Sequence, residues 1–356
     1  MKRTSAAKPM PRGLSRRDFF RGASATAGAV AAASWPSRAR SAAPLSIRYA
    51  TGGGIGPNEM ETLIWLDHLK SNVLKNYGKA YTLEMTFTRG SPEAAQLLAA
   101  GQVDLAALSS PAFAAATAKD AVPGGMSIIS DIYQDGHPGN ATNTFFVMKD
   151  SPIRSVADLK GKRVAINAYG SAVDLVLRVA LKKAGLDARR DVQIVEVTFP
   201  NIAPALRESR IDCGVLVIPF LPVESAKGDL RALFTGGDTL GASSVVFQVA
   251  TDKFIREHPE ALRAFLEDFV QGLDWYYNPA NREKALELAA GLTKSPKEVL
   301  ASYFMTGRDY YRDRNGCVSV SAVQKPIDAM LEYKLLDRPV DAARYMKLQY
   351  LPKPCP

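Results

Sequence analysis

The chain has 356 residues, 47% of them hydrophobic, which is enough for packed cores and too long for one simple core, so two domains of ordinary size are expected. The formal net charge is +9, yet residues 1–43 hold nine of the 45 Lys/Arg and one of the 36 acids, Asp18, which leaves the remainder at +1. That remainder carries no basic footprint for nucleic acid.

The basic leader contains Ser15-Arg16-Arg17-Asp18-Phe19-Phe20-Arg21, followed by small, weakly apolar residues from Gly22 to Ser34. This pattern resembles the twin-arginine export signal, and the apolar stretch is too short and mild for a stop-transfer helix. Small residues around Ala39 to Ala43 suit cleavage, and no cysteine nearby indicates a lipid anchor. The expectation is an export signal over residues 1–43 and a soluble periplasmic protein delivered by the twin-arginine pathway.

Leu45 to Thr51 reads as the first strand, Gly52 to Pro57 as a glycine-rich loop, and about Asn58 to Tyr77 as a helix. A dinucleotide fingerprint fails because Pro57 stands where its third glycine belongs, which leaves a ligand loop or a tight turn. Tyr81 to Thr88 alternates like a strand. Ser91-Pro92-Glu93 opens a helix ending at Gly101, Val103 to Leu108 is a strand, and Ser109-Ser110-Pro111 opens another helix in the same way. Strand, helix, strand in this order implies parallel pairing. Thr144 to Lys149 and Ser243 to Ala250 read as extended connections acting as a hinge. Between them, Asp158 to Lys162 is a polar turn, Arg163 to Ile166 a strand and Asn167 to Ser171 a tight loop. Val173, Val176, Leu177, Ala180, Leu181 and Ala184 then fall at helical spacing. Ser171 and Asp174 have capping-box spacing, and Lys182, Lys183 and Gly185 suit the helix end. Leu98, Val103, Asp104, Leu108 and Pro111 recur at identical spacing as Leu206, Ile211, Asp212, Leu216 and Pro219, so two domains share one plan. Beyond Thr251 the pattern is helical, with an apolar face from Leu262 to Tyr276 that starts near Pro259 and stops at Asn278-Pro279, and further helices over about Arg282 to Ala290, Pro296 to Tyr310 and Ser321 to Glu332.

The stretch Ser151-Pro-Ile-Arg-Ser-Val-Ala-Asp-Leu-Lys-Gly-Lys-Arg-Val-Ala165, with Gly170-Ser171 and a helix ending Lys-Lys-Ala-Gly-Leu-Asp187, resembles the nitrate/sulfonate/taurine family of ABC-transporter substrate-binding proteins. The run from Phe254 to Phe265 is similar to the same family. The resemblance implies a periplasmic, monomeric two-domain binder without cofactor, handing a small solute to an ABC permease and ATPase. The expected fold is α/β: two Rossmann-like domains joined by two hinge strands (the type II periplasmic-binding-protein fold) with C-terminal helices. Domain 1 is expected over residues 44–147 and 249–356, domain 2 over 148–248.

No nucleophile elbow or phosphate-binding loop is present, and the three histidines are far apart in sequence. Asp131, Asp135 and His137 read as part of a solvated turn, so no catalytic residue, metal ligand or cofactor is assigned. Cys213 reads as core; Cys317 and Cys355 leave a disulfide and two free thiols both open. Helix capping suffices for Ser109 and Ser110, with ligand bonding as a second role. The expected ligand site has Gly53, Gly54, Ser109 and Ser110 on one wall and Tyr169, Gly170, Ser171 and Asn201 on the other. Tyr133, Phe199 and Phe220 flank it. Arg89 is the one cationic candidate, and a surface position suits it better. Such a pocket fits a small organic anion, a sulfonate or an aromatic or aliphatic carboxylate, better than a hard ion such as bicarbonate. Two other readings stay open: an enzyme on the same scaffold, of the pyrimidine-precursor synthase type, and the receptor of an ion-driven solute transporter.

Overall fold

A computed structural model describes residues 43–52 and 60–356; Gly53, Gly54 and the leader lie outside the described residues. The first lobe begins with β1 (Leu45–Ala50), α1 (Met60–Ile64), α2 (Asp67–Asn72), β2 (Tyr81–Thr86), α3 (Ser91–Ala99), β3 (Leu105–Ser109), α4 (Ser110–Ala118) and β4 (Met126–Asp135). The second comprises β5 (Thr144–Met148), β6 (Arg163–Ile166), α5 (Ala172–Lys183), β7 (Gln193–Glu196), α6 (Phe199–Arg207), β8 (Cys213–Leu216), α7 (Phe220–Ser225) and β9 (Leu230–Thr235). After α8 (Gly236–Leu240), β10 (Ser243–Thr251) returns to the first lobe. There α9 (Asp252–Glu257), α10 (Pro259–Tyr277), α11 (Arg282–Thr293), α12 (Lys297–Tyr303) and α13 (Val320–Glu332) follow.

The two five-stranded sheets repeat one topology, β2-β1-β3-β10-β4 and β7-β6-β8-β5-β9. In each, the first three strands pair in parallel and the fourth is antiparallel to both neighbours. This is the bilobed type II arrangement. The repeated Asp is the reason the match is more than chance. Asp104 takes the backbone N–H and guanidinium of Arg48 (3.1 and 3.0 Å) at the start of the pairing of β1 with β3. Asp212 takes the same groups of Arg163 (2.8 and 3.1 Å) where β6 meets β8. Each clasp satisfies an end-of-strand N–H with a charged acceptor, and each sets the strand register.

The Asp-Leu-Lys-Gly-Lys motif is architectural. The Asp158 carboxylate accepts the N–H groups of Arg154 and Ser155, both at 2.9 Å, closing a capping box around a single 3-10 turn. Leu159 is buried and Gly161, at φ 73°, donates to Asp191 O. None of these residues lines the cleft cavity.

Three expectations are corrected. Thr144 to Lys149 and Ser243 to Ala250 are not free hinge strands, since β5 and β10 are interior strands of the second and first sheet, bonded on both edges. The chain crosses between sheets over residues 136–143 and 236–242, so 144–147 pair with the second sheet and 243–248 with the first. The helix expected from Asn58 to Tyr77 is broken at Leu66 (φ −69°, ψ 150°). Beyond α2, the buried Asp268 carboxylate collects the N–H groups of Lys75, Asn76 and Tyr77 and the Tyr81 hydroxyl, an acceptor set that outcompetes helical carbonyls. The helix expected from Pro296 to Tyr310 stops at Tyr303, where the Arg282 guanidinium takes the carbonyls of Ala301 and Phe304. Of the two states left open for Cys317 and Cys355, the disulfide is formed, with the Cα atoms 5.5 Å apart; Cys213 is buried and free.

Candidate functional site

The cleft lies where the carboxyl ends of β1 and β3 face the N-terminus of α5. Ser91 ties the first wall together. Its hydroxyl accepts the Ser109 N–H (2.9 Å) and donates to Gly52 O (3.3 Å), although it was expected to cap a helix. Ser109 occupies the N-cap of α4 without a side-chain capping bond. It is 1% exposed and its Oγ has no hydrogen-bond partner among the described residues, so helix capping does not account for it. Ser110 lies one residue deeper and donates to Ser244 O at 3.1 Å.

On the second wall Ser171 caps α5, accepting the Asp174 N–H at 3.3 Å and donating to Asn167 Oδ1 at 2.9 Å. The other half of the expected capping box is shifted by one residue: Asp174 accepts the N–H of Gly170 (2.7 Å), not that of Ser171. It also pairs with Arg178 at 2.8 Å, yet burial holds its carboxyl above the usual carboxylate range. Gly170 turns at φ 77°, a backbone conformation that disfavours a side chain, and a Cβ placed there would lie 3.6 Å from Pro92 across the lobes. There Asn167 Nδ2 reaches Arg89 O at 3.4 Å, joining the two rims.

Between these walls is a narrow cavity of about 30 Å³. Gly52, Ser91, Ser109 and Tyr133 line it from the first lobe and Asn167, Ser171, Val173 and Phe199 from the second, with Asn143 from the crossing. Val217, Val245 and Val246 make its apolar side. No Lys or Arg lines it among the described residues, and the sequence of residues 53–59 contains none. What faces the space is hydroxyls, amides, aromatic surface and the starts of α4 and α5, whose N–H groups and dipoles favour negative charge.

The structure thus brings Ser109, Tyr133 and Ser171 together. Ser110 borders a smaller pocket behind, with Asp135 and Asn143. Tyr169 and Gly170 face instead a shallow outer groove of about 970 Å³ between α3, α4 and α5. Tyr169 is 49% exposed, and its hydroxyl is spent on Ile194 O at 2.7 Å. Asn201 lies exposed on α6 and bonds Thr198. Arg89 is a surface residue paired with Glu93 at 3.2 Å. Sequence reasoning missed Ser91, Asn143 and the Val217–Val245–Val246 surface. The doubled Ser-Pro helix start was the one available signal for Ser91.

Behind the cleft, β4 carries two buried carboxyls, Asp131 and Asp135, with no cation partner among the described residues. Burial lifts Asp131 to about 7 against the donors Ser244 and Gln134, and lifts Asp135 to about 6. His137 does not join them. It bonds Gln134 Oε1 (2.8 Å) and stacks on Tyr311 (4.1 Å), and among the described residues no three metal-ligating side chains converge.

Comparisons with known proteins fit this geometry. The family profile described as NMT1/THI5 like matches residues 75–282. A protein of Escherichia coli (strain K12), named for binding aliphatic sulfonates, is 27% identical over 270 residues, 75% of this chain and 79% of that one. The alkanesulfonate-binding protein SsuA of Xanthomonas axonopodis pv. citri, solved with MOPS, superposes at a TM-score of 0.66 with 19% identity, covering 86% of this chain and 99% of that one. The periplasmic nitrate-binding protein NrtA of Synechocystis PCC 6803 superposes at 0.65 with 13% identity, covering 86% and 87%. The profile spans more than half the chain, and two α/β lobes frame the cleft: the chain belongs to the NMT1/THI5-like family, as a solute-binding protein of the ABC-transporter type.

Proposed function

We propose that this protein is exported through the twin-arginine pathway and binds a small organic anion, a sulfonate or an aromatic or aliphatic carboxylate, in the interlobe cleft. It then delivers that anion to an ABC permease and its ATPase. The observation that carries the reading is the cavity wall. Two helix N-termini and the Ser109 hydroxyl supply neutral donors, with Ser171 fixing the start of α5, and the opposite surface is Tyr133, Phe199 and valines. A singly charged head bonded by several N–H and O–H groups, with an apolar body against the aromatics, matches both halves. The names of the relatives, which bind sulfonates and nitrate, support an oxyanion head. The apolar half favours the organic members of that class. A cavity of about 30 Å³ holds little more than a water molecule, so such a ligand enters as the lobes part.

A thermal-shift and calorimetry panel tests this, with MOPS, alkanesulfonates, aromatic carboxylates, nitrate and pyrimidines. A bound compound at a hundred times its Kd stabilises by about 2.7 kcal/mol and is recovered unchanged at one per protein. Turnover of a compound, or selective binding of nitrate, would overturn the reading. Replacing Arg16 and Arg17 together by Lys and fractionating the cells tests the export route. Periplasmic delivery of that variant at the parent level excludes twin-arginine export.

A further inference from the structure

The segment after α12 runs alongside the first crossing between the sheets. Asp309 O accepts the N–H of Ala141 (3.0 Å) and the Asn140 side chain (2.9 Å), and Tyr311 bridges to Gln134. Between them Tyr310 is 1% exposed, and its hydroxyl has two partners of different origin. It donates to Asn143 Oδ1 in the crossing and accepts the backbone N–H of Ile218, just past β8 of the second lobe, at 3.2 Å. Its ring lies 4.7 Å from that of Tyr133 on the cleft wall. Asn143 lines the same cavity. The Ile218 side chain is buried in the first lobe's core with Tyr133 and Tyr310, so the second lobe has both an apolar and a polar foothold there.

We propose that Tyr310 is a positioning residue for ligand capture: a latch whose hydroxyl holds the second lobe closed through Ile218 while its ring and Asn143 set the cleft wall. The chemistry is suited to this. A tyrosine hydroxyl donates once and accepts once in a fixed direction, so the bond to Asn143 aims the lone pair that receives Ile218 N–H. Separation of the lobes breaks the Ile218 bond and leaves the rest of Tyr310 in place. The latch therefore biases the equilibrium between open and closed lobes, and since the latched cleft holds little more than a water molecule, apparent affinity scales with the open fraction.

The test is Tyr310→Phe, with Tyr276→Phe as its control. Tyr276 is equally buried and loses a comparable bond, from its hydroxyl to Leu63 O (3.1 Å), but within the first lobe. Spin labels are placed at Glu84→Cys on β2 and Lys182→Cys on α5, both exposed; the native cysteines are buried or disulfide-bonded. The expected result is a longer or broader interlobe distance distribution in Tyr310→Phe and an unchanged one in Tyr276→Phe. Affinity for the sulfonate probe MOPS rises about tenfold in Tyr310→Phe only, as the open fraction grows. Superimposable distance distributions for Tyr310→Phe and its parent would overturn the latch. The distance measurement uses no ligand, so it stands apart from the proposed binding function; MOPS failing to bind the parent bears on that function alone. Should Tyr310→Phe fail to fold, hydrogen exchange of the parent decides. The Ile218 amide is expected to exchange by lobe opening, faster than that of Val215 inside the sheet, and equal protection of the two refutes the latch.

Discussion

Ser109→Ala separates stability from function. The Ser109 Oγ is buried at the cleft with no partner among the described residues, and a buried hydroxyl without a hydrogen bond costs the fold roughly 1–3 kcal/mol. Alanine removes that cost and keeps the Cβ, the backbone N–H to Ser91 and the start of α4. The variant should therefore be as stable as the parent or more stable by about 1 kcal/mol, a rise in Tm of roughly 2 °C for a chain of this size. Binding should move the other way. A hydrogen bond to a charged head is worth roughly 1.5–3 kcal/mol, so the variant should bind the best sulfonate or carboxylate of the panel about ten- to a hundredfold more weakly. Differential scanning calorimetry without ligand and titration calorimetry with it measure both. Ser171→Ala is the contrast: its hydroxyl caps α5, so the variant loses stability, about 1 kcal/mol, as well as affinity. A lower Tm for Ser109→Ala, or parent-like affinity, would show that this hydroxyl has a structural partner and that the ligand does not use it.

Burial raises the Asp131 pKa from 3.8 to about 7, so the folded protein keeps a proton that the unfolded chain releases near pH 4. That contribution to stability is full below about pH 4 and lost as pH rises through about 7. Asp131→Asn should be more stable than the parent at pH 8, by at most ~4 kcal/mol, and the gap should close by pH 4; urea unfolding with the same pH slope in both proteins would refute this. The Cys317–Cys355 bond closes a loop with a sequence separation of 38, for which chain entropy alone corresponds to ~4 kcal/mol. The double serine variant should melt at a markedly lower temperature with unchanged ligand affinity, since neither residue lines the cavity; an affinity loss in calorimetry would contradict that.

Local elements and their repetition are legible in the order of residues. The strand, loop and helix from Arg163 to Lys183 are as spacing and capping imply, because a β-branched run, a left-handed glycine and a capping serine act within a few residues of one another. The doubled Asp before an apolar strand marked two equivalent sheets, since each Asp meets an N–H one strand away in the same unit. The remainder depends on partners distant in the chain. Asp268 and Arg282 redirect two segments that read as continuous helix, because a buried carboxylate or a half-buried guanidinium satisfies backbone groups in place of another helical turn. Pairing on both edges made the expected hinge segments interior strands. Within the site, equal-looking residues were sorted by position alone. The Ser109 hydroxyl has no partner among the described residues and Ser110 has a backbone one, while Tyr169 faces an outer groove and Tyr133 the cleft. Residue type and spacing are common to both members of each pair; the direction of each side chain is set by strands that meet only when the two halves of the chain have folded together.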